Sequence, residues 1–134
     1  MSTTIPESHR DLLQADVAML ATVGRDGFPQ VTALWFLLDE DGVLKLSLNT
    51  TRRKTQNLRA RPECTLFILD RANPYRTLEI RARAALTPDP DYAFARTLGR
   101  KYGNADLRAM DQPGEQRVMV TLRPVRVVAT DLSG

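Results

Sequence analysis

Cysteine and histidine are almost missing from this chain. Its 134 residues hold one of each, Cys64 and His9. That excludes an internal disulfide framework and any CxxC or Cys/His zinc site, so no metal is expected. His9 stands near a chain end expected to be mobile, which makes Ser-His-Asp and Cys-His catalysis poor candidates. No apolar run approaches the ~20 residues that cross a bilayer, and residues 1–10 are polar with no signal-peptide core. Aromatic residues are sparse at 6%, which offers nucleic acid few stacking platforms. The net charge of +3, from 19 Lys+Arg against 16 Asp+Glu, is too mild to mark a nucleic-acid binder. What is present is ordinary for a globular domain, with 43% hydrophobic and 26% charged residues, so disorder, collagen and coiled coil are excluded. The expectation is a soluble cytoplasmic protein with one domain over residues 1–134, no membrane or nucleic-acid partner, and chemistry supplied by a bound molecule.

Periodicity predicts mainly β-structure with short helices. Pro6–Asp16 reads as a helix, with Pro6 in its first turn. Val17–Val23 is a strand, followed by the hairpin signal Asp26-Gly27 and a second strand over Gln30–Leu38. Val43–Asn49 alternates, Leu44, Leu46 and Leu48 against Lys45, Ser47 and Asn49, and so reads as a half-buried strand. Thr50–Arg61 is a short helix capped by Thr50 or Thr51, with Thr55 and Leu58 facing inward and Pro62 ending it. Strands follow over Glu63–Asp70 and Arg76–Leu86. Asp89-Pro90 opens a helix reaching about Tyr102, and Asn104–Met110 adds a helical turn. Arg117–Leu122 and Val125–Thr130 read as two strands broken by Pro124. Some seven strands in hairpin order imply a closed or nearly closed small barrel, which hides its strand edges, with short helices over its ends.

The chemically informative stretch lies where the third strand meets its helix. From Gly42 to Pro62 there is no acid, while Lys45, Arg52, Arg53, Lys54, Arg59 and Arg61 are basic. Cations in a first helical turn oppose the helix dipole by a few tenths to about 1 kcal/mol each. A bound anion resolves that conflict: free backbone N–H groups, Thr hydroxyls and the basic side chains all converge on one point. A phosphate is the natural candidate, and the plainer alternative is a solvated basic face. Trp35 reads as packing, Tyr75 as a surface turn residue, Cys64 as an inert small hydrophobe, and the Phe94, Leu98, Tyr102 spacing as a helix lying on the barrel. No side chain stands out as a catalytic acid or base.

Four motifs in order carry a resemblance. These are Leu20-Ala21-Thr22-Val23; Asp26-Gly27-x-Pro29; Thr51-Arg52-Arg53-Lys54-Thr55-Gln56-Asn57-Leu58-x-x-x-Pro62; and Asn73-Pro74-Tyr75-Arg76-x-Leu78-Glu79-Ile80-Arg81. Together they resemble the split β-barrel flavin/deazaflavin oxidoreductases, the superfamily of pyridoxamine 5′-phosphate oxidase, and most nearly its branch using the deazaflavin coenzyme F-420. The resemblance implies a homodimeric split β-barrel with two cofactor sites at the subunit interface. It implies a phosphate held by Arg52, Lys54, Thr55 and Arg53, with the tricyclic ring along Gln30–Thr32 and Ser47–Thr50. Gln30, Thr32, Ser47, Asn49 and Thr50 are thus candidate ring contacts. Tyr75 and Arg76 are expected to approach from the partner subunit. Asn57 matches the motif, either as a site residue or as a structural helix residue. The implied activity is hydride transfer from F-420 to an electron-poor small molecule, the cofactor carrying the chemistry. FMN with the same fold, or a non-catalytic protein that stores or carries a flavin, deazaflavin or haem-like molecule, are the alternatives. The chain lacks the C-terminal extension and basic substrate motif of pyridoxamine 5′-phosphate oxidases proper, so that particular reaction is not expected.

Overall fold

The computed structural model describes residues 2–132. Seven strands form one sheet: β1 Ala18–Val23, β2 Pro29–Leu34, β3 Leu37–Leu38, β4 Leu44–Asn49, β5 Glu63–Leu69, β6 Arg76–Pro88 and β7 Arg117–Asp131. The helices are α1 Arg53–Ala60 and α2 Ala93–Lys101, with 3-10 segments at Glu7–Gln14 and Leu107–Met110. The strand order is β2-β1-β5-β6-β7-β4-β3, and every pairing is antiparallel.

The predicted second strand, Gln30–Leu38, is two strands on opposite edges of the sheet. Only Trp35 and Phe36 separate β2 from β3, and three Cα steps reach at most about 11 Å. The sheet therefore has to curl until its edges nearly meet. The apolar alternation of each strand then points into one interior, where Leu20, Phe36, Leu46, Leu66, Ile68, Leu78, Ile80 and Val120 are almost completely buried. Burying each such side chain is worth roughly 1.5–3 kcal/mol. The Asp26-Gly27 turn forms as expected, with Gly27 at φ +83°, a conformation only glycine adopts without strain.

Five further expectations are corrected. The opening helix is 3-10 rather than α. His9 in it is 5% exposed, its ring bonded to the Ser8 hydroxyl and the Thr130 carbonyl, so its segment is anchored. β4 is buried on both faces, not one: the segment between β6 and β7, carrying α2 and the second 3-10 turn, lies over its outer side. Lys45 tolerates this burial through ion pairs to Asp39 (2.8 Å) and Asp41 (2.9 Å). Asp89 does cap α2, accepting from the N–H groups of Phe94 and Ala95, but from three residues before the Tyr92 N-cap, so Pro90 is not in the first turn. Pro124 does not divide the last strand. β7 runs unbroken past it, because pairing with β4 ends at Leu122 and a bulge opposite Arg81/Ala82 absorbs the proline.

Candidate functional site

Three elements converge at one mouth of the barrel: the edge strand β2, the end of β4 and the beginning of α1. Helix α1 plugs this mouth with Thr55 and Leu58, both essentially unexposed. Neither Thr50 nor Thr51 caps it. The N-cap is Arg52, which makes no side-chain capping bond. Thr50 is engaged with Gln116 through both its N–H and its hydroxyl, and the Thr51 hydroxyl lies between Asn49 Oδ1 and the Glu115 carboxylate. As a result the N–H groups of Arg53 and Lys54, in the first turn of α1, have no acceptor among the described residues. No acid stands in that turn, so the positive end of the helix dipole is uncompensated.

The side chains sharpen this picture. Arg52 and Arg53 are exposed and make no ion pair or hydrogen bond among the described residues. Lys54 is half-buried and donates only to Thr32 Oγ1 on β2, at 3.2 Å. Burial, with Arg52's charge beside it, lowers the Lys54 pKa below the ordinary lysine value. A desolvated ammonium without a carboxylate is a group whose electrostatic state a bound anion improves.

Behind this corner runs a slot of about 250 Å3. Its lining combines Ser47, Asn49, Arg52, Lys54 and Arg117 with Trp35, Leu98, Leu107 and Met110. Ser47 Oγ is buried and has no hydrogen-bond partner, alone in this among the described side-chain polar atoms. A native interior rarely leaves a hydroxyl orphaned without a reason. Phosphate donors at the mouth and an unused hydroxyl in a slot of mixed polar and apolar lining suit a phosphorylated planar ring, so the residues present fit a flavin-type cofactor. On the other flank of α1 a second hollow of about 430 Å3 is lined by Arg25, Asp26, Phe28, Gln30, Arg53 and Asn57.

Of the expected site residues, the structure brings Thr32, Ser47, Asn49, Thr50, Arg52, Arg53 and Lys54 together. Gln30 and Asn57 are adjacent and engaged with each other: Asn57 Nδ2 donates to Thr22 Oγ1 (3.0 Å) and Gln30 Oε1 (3.3 Å), tying α1 to β1 and β2. Thr55 Oγ1 donates to the Asn49 carbonyl (2.7 Å) beneath the helix. Tyr75 and Arg76 lie apart, in the β5–β6 turn. Tyr75 is exposed, and Arg76 is held by Asp11, Asp70 and the Ser8 carbonyl. Arg117 borders the slot and Asp111 its continuation, both with buried side chains, and sequence reasoning passed over them. No local signal pairs them with Asn49, since strand pairing alone brings residues 49 and 117 opposite each other.

Residues 5–131 match the family described as pyridoxamine 5′-phosphate oxidase. The chain belongs to that family. Among solved structures, an F-420 reductase is 35% identical over 92% of this chain and 98% of its own, with a TM-score of 0.79. A putative pyridoxamine 5′-phosphate oxidase from Listeria innocua is 24% identical, covering 88% of this chain and 90% of its own, at a TM-score of 0.66. A haem storage protein from Vibrio cholerae is 18% identical, covering 92% and 94%, at 0.72. The last two show the shared fold alone. A search of functionally curated proteins finds no match. The expected split barrel, a mainly β family fold, is therefore what the chain adopts, with an F-420-related structure among its relatives.

Proposed function

We propose that this protein binds the deazaflavin coenzyme F-420 at the start of α1 and uses it to reduce an electron-poor small molecule. The observation that carries the reading is the pair of free N–H groups on Arg53 and Lys54, ringed by three cations with no carboxylate partner. Arg52, Arg53 and Lys54 hold the phosphate. Thr32 shares the Lys54 ammonium, and Thr55 stiffens the turn from beneath. Ser47, Asn49, Thr50 and the backbone of edge strand β2, with Gln30 at its start, line the ring's position. The coenzyme supplies the hydride when bound; the chain orients it, and Leu98, Leu107 and Trp35 exclude water from the slot. No protein nucleophile is needed, which suits a chain whose only thiol, Cys64, is buried with its pKa pushed up to about 11. The hollow holding Arg25 and Arg53 against the one carboxylate of Asp26, with Arg59 exposed on the same helix, has a net positive lining that suits the acidic tail of F-420 and favours it over FMN. FMN, whose single phosphate fits the same corner, is the second reading, and a non-catalytic carrier the third.

The protein acts as a homodimer in this reading. The outer face of β2-β1-β5 carries rows Val31–Ala21–Thr65 and Ala33–Met19–Phe67, with no helix over them and Val31 61% exposed. A second copy covers this face and closes the open side of the slot. Tyr75 is free to reach the other protomer's site, whereas Arg76 does so only by leaving its two carboxylates. A cytoplasmic setting, reducing and rich in soluble coenzymes, accords with these assignments.

The test is a fluorescence titration of F-420 and FMN against the wild type and the double variant Arg52→Ala, Lys54→Ala. Loss of two charge-assisted contacts is expected to weaken binding by at least about tenfold. Unchanged affinity removes the phosphate assignment. Preference for FMN in direct competition moves the reading to the flavin. Absence of turnover with quinones, enones and nitroaromatics under reduced F-420 moves it to the carrier.

A further inference from the structure

We infer that Asp111 is a positioning residue for the anion-binding turn, acting through Asn49; the inference rests on the phosphate assignment proposed above. Asp111 belongs to the segment that covers β4, yet its side chain is 4% exposed and its carboxylate collects donors from three elements. Arg117 from β7 donates to it through Nε and Nη2 (2.9 Å for the shorter), the Tyr92 hydroxyl donates at 2.8 Å, and Asn49 Nδ2 donates at 2.9 Å. Despite its burial, these donors keep its pKa below the ordinary carboxylate value, so it is ionised and accepts only.

That fixes the Asn49 amide. Its NH2 must face the carboxylate, so its oxygen faces the other way, where it accepts from the Thr51 N–H (2.9 Å) and competes with the Glu115 carboxylate for the single proton of the Thr51 hydroxyl. Thr51 N–H is thereby withdrawn from the mouth, and the turn from Thr50 to Arg52 is held in the shape that leaves the N–H groups of Arg53 and Lys54 outward and free. Arg117 closes the loop from below, with Nη1 on the Ser47 carbonyl at 3.3 Å. One buried carboxylate thus sets the orientation of a turn whose ligand is itself an anion.

The two roles open to Asp111 predict opposite signs. As a mere neighbouring negative charge it repels a phosphate, and its neutralisation tightens phosphate binding. As a positioning residue it is needed for phosphate binding, and its neutralisation weakens it, because an amide cannot accept all four donors. Asp111→Asn is titrated with FMN and riboflavin, and with F-420 and its unphosphorylated 8-hydroxy-5-deazariboflavin. The expected result is a loss of about tenfold for the phosphorylated member of each pair, with the unphosphorylated member altered much less. Tighter phosphate binding in Asp111→Asn overturns the inference, as does an equal loss for both members, which marks general damage to the fold. Wild-type protein that does not distinguish the members of either pair fails earlier: it overturns the phosphate assignment and this inference with it.

Discussion

Lys101 shows what burial does to a single charge in this protein. Its ammonium donates to the carbonyls of Ala15 (2.7 Å) and Phe36 (2.8 Å) and sits 3.9 Å from the centre of the Phe36 ring. Burial nevertheless pushes its pKa down from 10.5 to about 8. The folded value lies below the unfolded one, so between those two pH values the unfolded chain holds the extra proton, and stability rises with pH across that window. Urea midpoints measured from pH 7.5 to 10.5 are expected to climb more steeply for the wild type than for Lys101→Met; parallel curves count against the assignment. Asn57 makes a second case at this scale. Its buried amide donates to both Thr22 and Gln30, and Asn57→Leu removes both bonds that tie α1 to β1 and β2, leaving Thr22 only its long bond to Gln30. A loss of about 1–3 kcal/mol in urea unfolding is expected.

Among the elements, α2 packs against the loop that follows it without room to spare. A Cβ on Gly99 would stand 2.3 Å from the carbonyl oxygen of Ala105, a backbone atom that cannot step aside alone. Gly99→Ala is expected to cost about 1–3 kcal/mol through overpacking, read from denaturant unfolding; a neutral result would mean the loop shifts freely. Most elements were legible from pattern, because strands such as β5 and β6 alternate strictly and pack one face inward. β4 was not legible in full. Its Lys45, Ser47 and Asn49 looked like a solvent face, but the return between β6 and β7 lies against Ser47 and Asn49, and Lys45 is held by Asp39 and Asp41. The basic start of α1 was legible as an electrostatic contradiction, and the structure retains that contradiction unresolved by any protein group. The Thr caps were misread because Gln116, Asn49 and Glu115, distant or flanking, compete for those hydroxyls. Asp111 and Arg117 could not be linked to the site by any spacing, since β4–β7 pairing is what joins them.

For the whole molecule, the uncovered rows on β2-β1-β5 are expected to hold two copies together, and light scattering at micromolar concentration is expected to give twice the monomer mass. Val31→Lys, which places a charge in the middle of that face, is expected to shift the population towards monomer and to weaken coenzyme binding with it; a dimer undisturbed by this change would place the interface elsewhere. The same topology governs when the site comes into being. Ser47 and Arg117 touch although 70 positions separate them along the chain, and β4 borrows its main partner from the last strand made. During synthesis the first strands have long left the ribosome before β7 exists to receive β4. On the proposed function, a chain truncated before Arg117 therefore offers the coenzyme no organised grip and is expected to be mute towards it, however many of the basic residues it already carries.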